Sequence, residues 1–205
     1  MKRILVTGSG GIGGVNFVRA LKIFQDEFFI VGTDFNKYYL QFADLDQRVI
    51  SPKHSDPNFI SLLNKLTEQH KIEFLHPQPS SEALVVSQNL DKISSKTLLP
   101  SSNIISNDKL ETQKILSTSG IAVAKTKTID NYDLIASAFD ELGGGPLWIR
   151  AKNGAGGNLS LLCDNPSEAE YWMKLWILRK KANFDDFMIQ QYLPKRNIAW
   201  DSFWY

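Results

Sequence analysis

A chain of 205 residues is long enough for one large or two small domains with a proper core. Its 43% hydrophobic and 22% charged content is that of an ordinary globular protein, and a net charge of +1 supplies no bulk attraction to nucleic acid or a membrane surface. One cysteine, Cys163, excludes an internal disulfide, and His54, His70 and His76 are scattered without a partner at ligand spacing, which argues against a zinc site.

Lys2 to Thr7 reads as a buried strand, because Ile4, Leu5 and Val6 are consecutive, as parallel sheets prefer. This opening is strand-like rather than a signal peptide, and no apolar segment reaches membrane-spanning length, so a cytoplasmic protein is expected. Gly8-Ser-Gly-Gly-Ile-Gly-Gly14 follows, then a helix carrying Val15, Val18, Leu21 and Phe24, and a second strand, Phe28 to Thr33, ending at Asp34. This is a βαβ unit with glycines at its first turn and an acid after its second strand. Thr7-Gly-Ser-Gly-Gly-Ile-Gly13 resembles the short-chain dehydrogenase fingerprint, which implies NAD(P) on Gly8 to Gly13 with Asp34 on the ribose. That family also needs a Tyr-x-x-x-Lys pair, and none of the six tyrosines has a lysine four residues later. The other reading is a glycine turn that packs strand against helix with no ligand.

The α/β rhythm continues with a helix from Pro57 to Gln69, bearing Phe59, Ile60, Leu63 and Leu66, and a third strand, Ile72 to His76. Ser80 and Ser81 are placed to cap a helix starting near Glu82 and running through Leu84, Val85 and Leu90. Glu82 lies just beyond a strand's carboxyl end, where open α/β sheets place ligands, and equally where a first-turn acid suits a helix dipole. Lys96 to Leu99 is a short run ended by Pro100. Composition shifts at Pro100-Ser-Ser-Asn103, which divides the chain into residues 1–100 and 101–205.

In the second part Asn107 or Asp108 caps a helix, Lys109 to Ser119, stopped by Gly120. Ile121 to Thr128 is extended, and a second helix runs from Tyr132 to Leu142. Then Leu147, Trp148 and Ile149 form a strand that delivers Arg150 and Lys152 to one face and ends at Gly154, Gly156 and Gly157. Two cations on one face beside a glycine turn suit a polyphosphate, since backbone N–H groups approach oxygens most closely where no Cβ intervenes. A plain hairpin turn with solvated cations fits the same letters. A helix from Glu168 to Lys180 follows, on which Tyr171, Trp172 and Trp176 read as core, then the strands Phe187 to Gln191 and Asn197 to Trp204.

Taken in order, these elements resemble the ATP-grasp ligases, in particular those like the carbamoyl-phosphate synthase large subunit. The motifs that carry this are Asp108-Lys109 with Leu116 and Gly120-Ile121, Pro146 to Arg150 with Gly154 to Gly157, and Met188-Ile-Gln-Gln-Tyr-Leu193. The resemblance implies an α/β fold: a Rossmann-like preATP-grasp sheet, then an incomplete α+β small lobe of the ATP-grasp domain. It implies that ATP is the cofactor, with Lys109 and Arg150 on the β- and γ-phosphates and Lys152 as a third cation. Gly154, Gly156 and Gly157 would form the loop that closes over the phosphates. Gln190 would meet the adenine amino group through its carbonyl oxygen, with Gln191, Tyr192 and Leu193 alongside and Asn197 at the ribose. Gln190, or its neighbour Gln191, stands where the family has glutamate, and Asn197 stands where it commonly has a ribose-binding acid, and each swap removes an anionic acceptor. The acids that hold Mg2+ in the family lie beyond Tyr205, so this reading puts no catalytic or metal-binding residue in the chain and leaves its turnover to a further segment or second chain. The complete enzyme would activate a carboxylate or bicarbonate as an acyl phosphate. A nicotinamide-dependent oxidoreductase and a non-catalytic ATP-grasp remnant are the alternatives.

Overall fold

The structure is a computed structural model that describes residues 1–24, 27–106, 108–154, 157 and 159–196. Two compact units divide the chain, Met1–Ser106 and Asn107–Tyr205.

The first unit is built on a four-stranded parallel sheet, ordered β3-β2-β1-β4. Its strands are β1 (Lys2–Thr7), β2 (Phe28–Asp34), β3 (Gln47–Ile50) and β4 (Phe74–Pro77). In β1, Leu5 pairs with Val31 on one side and Leu75 on the other, so the consecutive apolar residues feed both faces of the sheet. Ile4 and Val6 meet Val15 and Val18 of helix α1 (Ile12–Lys22). Leu5 and Leu75 meet Phe59, Leu63 and Leu66 of α2 (Phe59–His70) and Val86 of α3 (Ser80–Ser87). Leu5 is fully buried between these layers, so Leu5→Ala should cost about 2–5 kcal/mol. Helix α4 (Ser102–Ser106) packs on α3, which puts the division after Ser106 rather than Pro100.

Several expected elements shift. The third strand in chain order is Gln47–Ile50, an edge strand with only Val49 half-buried, which hid it from an apolar-run criterion. Phe24 lies past the end of α1 and is exposed, because the helix stops at Lys22. Ser80 and Ser81 do not cap α3; Pro79 holds the cap position, its fixed φ suiting a helix start, and no side chain bonds there. Leu90 falls in a short 3-10 turn after α3 ends at Ser87.

The second unit carries an antiparallel sheet ordered β5-β8-β6-β7: β5 (Thr126–Lys127), β6 (Leu147–Ala151), β7 (Leu161–Cys163) and β8 (Phe187–Gln191). Alternation in β6 and β8 sorts the side chains. Leu147, Ile149, Phe187 and Ile189 are buried against Ile135 and Phe139 of α6 (Leu134–Glu141) and Met173 of α7 (Pro166–Leu178). Trp148, Arg150, Met188 and Gln190 take the opposite face, with Trp148 paired to Gln190 and Arg150 to Met188. Helix α5 (Lys109–Thr118) begins at Asp108, whose Oδ1 accepts from the Glu111 N–H at 2.8 Å and replaces a missing intrahelical bond. Trp172 and Trp176 pack edge to face against the core, their rings 5.6 Å apart. Tyr171 does not join them: it is 72% exposed, since its place on α7 turns it from the sheet.

Candidate functional site

Helix α5 presents Lys109 as its first residue, and three contacts tie it to the exit of β6. The Lys109 N–H donates to the Lys152 carbonyl at 3.0 Å. Its Nζ donates to the Gly154 carbonyl at 2.9 Å and the Lys152 carbonyl at 3.3 Å. Partial burial holds the Lys109 ammonium below the ordinary lysine pKa, the nearby Arg150 charge adds to this, and Asp108 opposes it. Lys109 and Arg150, from different elements, therefore lie close enough to feel each other's charge. Lys152 enters through its backbone, its N–H also donating to the Asp186 carbonyl at 2.8 Å.

Beyond Lys152 the glycines have room. Gly154 (φ 98°) and Gly157 (φ 73°) take left-handed backbone, and a Cβ at either would meet no atom within 4 Å. Gly156 and Asn197 lie outside the described residues.

Gln190 behaves differently from the sequence expectation. Its carbonyl oxygen, expected on an adenine amino group, accepts from Arg150 Nη1 at 2.9 Å, while its Nε2 donates to Thr126 Oγ1 at 3.1 Å. The physical reason is register: Arg150 stands diagonal to Gln190 across β6 and β8, and Thr126 stands opposite it on β5. Sequence reading missed Thr126, which carried no signal beyond lying in an extended stretch. Gln191 is bonded into the sheet by its N–H on the Lys125 carbonyl at 2.8 Å. Tyr192 sets its ring edge-on to Trp148, centroids 6.4 Å apart, and Leu193 is exposed. A cavity of about 300 Å³ adjoins Gln191 and Tyr192, lined also by Gly143 to Pro146.

The glycines of the first unit are packed instead. A Cβ at Gly8 would lie 2.2 Å from Pro79 Cγ, one at Gly10 2.3 Å from the Tyr39 carbonyl carbon, and one at Gly13 2.4 Å from Gln78 Nε2. Asp34, expected on a ribose in the dinucleotide reading, is 4% exposed and accepts from the N–H groups of Gly10 at 3.2 Å and Asn36 at 2.8 Å. It caps the glycine turn. A cavity of about 510 Å³ opens beside this turn, lined by Ile12, Val15, Tyr39 and Phe42 with Asn16 and Arg19. Glu82 is buried, which pushes its carboxyl pKa up; Asp34 adds to the rise, and the nearby Thr7 hydroxyl works against it without completing a hydrogen bond.

Cys163 is fully buried on β7, and burial pushes its thiol up to about 12, with Glu168 and Asp164 adding to the shift. Among the described residues no group of three or more His, Cys, Asp or Glu side chains could hold a metal ion, and no helix is long and apolar enough to cross a membrane.

No protein-family model and no curated protein matches the chain. Solved structures do. The Staphylococcus aureus N5-carboxyaminoimidazole synthetase complexed with ADP matches 94% of this chain with 48% of its own, at 17% identity and TM-score 0.66. The biotin carboxylase domain of the Hydrogenobacter thermophilus 2-oxoglutarate carboxylase, in complex with MgADP, ADP and bicarbonate, matches 94% with 44% of its own, at 16% identity and TM-score 0.62. The Campylobacter jejuni biotin carboxylase, complexed with β,γ-ATP, matches 94% with 45% of its own, at 19% identity and TM-score 0.62. Both kinds of protein are ATP-grasp enzymes, and at this identity the likeness is one of fold. The chain spans a little under half the length of these three solved chains.

Proposed function

We propose, for a chain that has the α/β fold of the ATP-grasp enzymes, that it binds ATP in its second unit and forms part of an ATP-dependent ligase acting on a carboxylate or bicarbonate. The observation that carries this reading is that the Lys109 ammonium, at the start of α5, donates to the Lys152 and Gly154 carbonyls of the turn that follows Arg150, although Lys109 and Gly154 stand 45 positions apart in sequence. An anion bound at that turn would be met by the Lys109 charge, with Arg150 on the strand that leads into it. The planar fork of the Arg150 guanidinium suits phosphate oxygens. The Gly154 to Gly157 stretch, Gly156 included, would fold over the phosphates, and Gln191 to Leu193 with Asn197 would line the nucleoside.

In the complete enzyme a carboxylate oxygen would attack the γ-phosphorus, and ADP would leave with the bonding electron pair. An amine would then displace phosphate from the acyl phosphate, as expected of a carbamoyl-phosphate-synthase-like ligase. Mg2+ would supply charge neutralisation on the phosphates; the described residues offer it no cluster of ligands, so it is proposed to arrive on the nucleotide and be held by a further segment or a second chain. What this chain's residues would do is bind and orient the triphosphate. In the first unit, the packed glycines and the engaged Asp34 speak against NAD(P) there.

Calorimetric binding of a non-hydrolysable ATP analogue to wild type and Arg150→Ala tests the reading. The substitution should weaken binding roughly 10- to 100-fold, the loss of a charge-assisted contact. Equal affinity for the two proteins, or none for wild type, would overturn it.

A further inference from the structure

Gln190 is 7% exposed, and both ends of its amide are spoken for. The Thr126 hydroxyl donates to the Ala124 carbonyl at 3.1 Å, so it can only accept from Gln190, and Gln190 must turn its NH2 toward Thr126. The carbonyl then faces Arg150. Flipping the amide would set two donors against each other at Arg150 and two acceptors' worth of demand on Thr126, so the orientation is fixed by the network. The chain of bonds crosses three strands, from β6 through β8 to β5, and ends on backbone. At its other end the Arg150 Nε is buried with no partner among the described residues.

From this we infer that Gln190 is a positioning residue: it aims the Arg150 guanidinium at phosphate and does not read the base. The inference rests on the ATP-site reading above, and it changes what that site recognises: triphosphate strongly, and the purine amino group through some other donor or acceptor than Gln190.

The test measures three ligands by calorimetry: a non-hydrolysable ATP analogue, its GTP counterpart and inorganic tripolyphosphate, which has no base. Gln190→Leu should weaken the ATP analogue and tripolyphosphate by the same factor, roughly tenfold, as expected for freeing a charged group from its orienting bond. The ATP-to-GTP preference should not move. In an Arg150→Ala background, Gln190→Leu should cause no further loss, which a general structural defect would not mimic. Gln190→Met, which keeps the side-chain length but loses the carbonyl acceptor for Arg150, serves as the second variant should the leucine protein not fold. Positioning requires that it weaken the ATP analogue and tripolyphosphate alike, whereas base reading requires that it change the ATP-to-GTP ratio and leave tripolyphosphate binding untouched. A changed ATP-to-GTP ratio with tripolyphosphate binding untouched overturns the inference and leaves the ATP site standing. A wild-type protein that binds neither the ATP analogue nor tripolyphosphate overturns the site itself, and the inference with it.

Discussion

Two glycine stretches, Gly8 to Gly14 and Gly154 to Gly157, look alike as letters and are used in opposite ways. In the first, neighbours crowd the positions a side chain would occupy: Pro79 at Gly8, the Tyr39 backbone at Gly10, Gln78 at Gly13. In the second, Gly154 and Gly157 have open space around them and left-handed backbone. At Gly8, Gly10 and Gly13 atoms already fill the volume, and Gly8 is left-handed as well (φ 56°); at Gly154 and Gly157 the backbone conformation alone asks for glycine. The acid beside each is also used differently. Asp34 closes the first turn onto itself, while Asp108 caps a helix and leaves Lys109 to hold the second turn by its carbonyls. Glycine count therefore does not tell a packed turn from an open one; the surroundings of each glycine do.

The comparison breaks most easily at Gly10. A methyl there would press on the Tyr39 carbonyl and the Leu40 N–H, which are backbone and cannot swing away as a side-chain rotamer does. Gly10→Ala should cost about 3 kcal/mol, the upper part of the range for overpacking. Gly157→Ala meets no atom and carries only the strain of its φ, about 1 kcal/mol, and its effect should appear in ATP-analogue affinity instead. Thermal unfolding followed by circular dichroism separates the two; equal losses of stability would show that both stretches are packed alike. A smaller effect is expected from Asp34→Ala, which strands the Gly10 and Asn36 N–H groups for about 2 kcal/mol. Here the decisive companion measurement is NADPH fluorescence on adding wild-type protein. Quenching that Asp34→Ala abolishes would restore the acid to a ribose and reverse the assignment of the first turn.

How much of this was legible in the letters depends on whether the cause was local. Lys2–Thr7 and Phe28–Asp34 were legible because buried parallel strands are apolar on both faces. Gln47–Ile50 was not, because an edge strand with exposed residues leaves no apolar run and is held by pairing to Val31 through Asp34. The Asp108 cap was legible, since one side chain bonds a backbone N–H three residues on. The bonds from Lys109 to the Lys152 and Gly154 carbonyls were not legible, because they join a helix start to a turn more than forty positions away. The Arg150–Gln190–Thr126 network was not legible, because it depends on the register of three strands, which no single stretch contains.

The smallest effect concerns Glu82, whose Oε2 lies 3.7 Å from the position of a Cβ on Gly8 and has no hydrogen-bond partner among the described residues. Its pKa in the fold is raised above 4.5, mainly by desolvation and then by Asp34. The folded protein thus holds the Glu82 proton more tightly than the unfolded chain does. The stability this confers is fully present below the ordinary carboxylate pKa and is lost as pH rises through the folded value, so at pH 7 the buried charge is a net cost. Glu82→Gln removes the cost: it should be more stable than wild type at pH 7, and the gap should close as pH falls below about 4.5. Urea unfolding of both proteins across that range gives the curve. A gap that is absent at neutral pH, or reversed, would mean that the charged form is compensated by a cation or a bound group beside Gly8. The first glycine stretch would then be a binding turn after all, and the contrast with the second would dissolve.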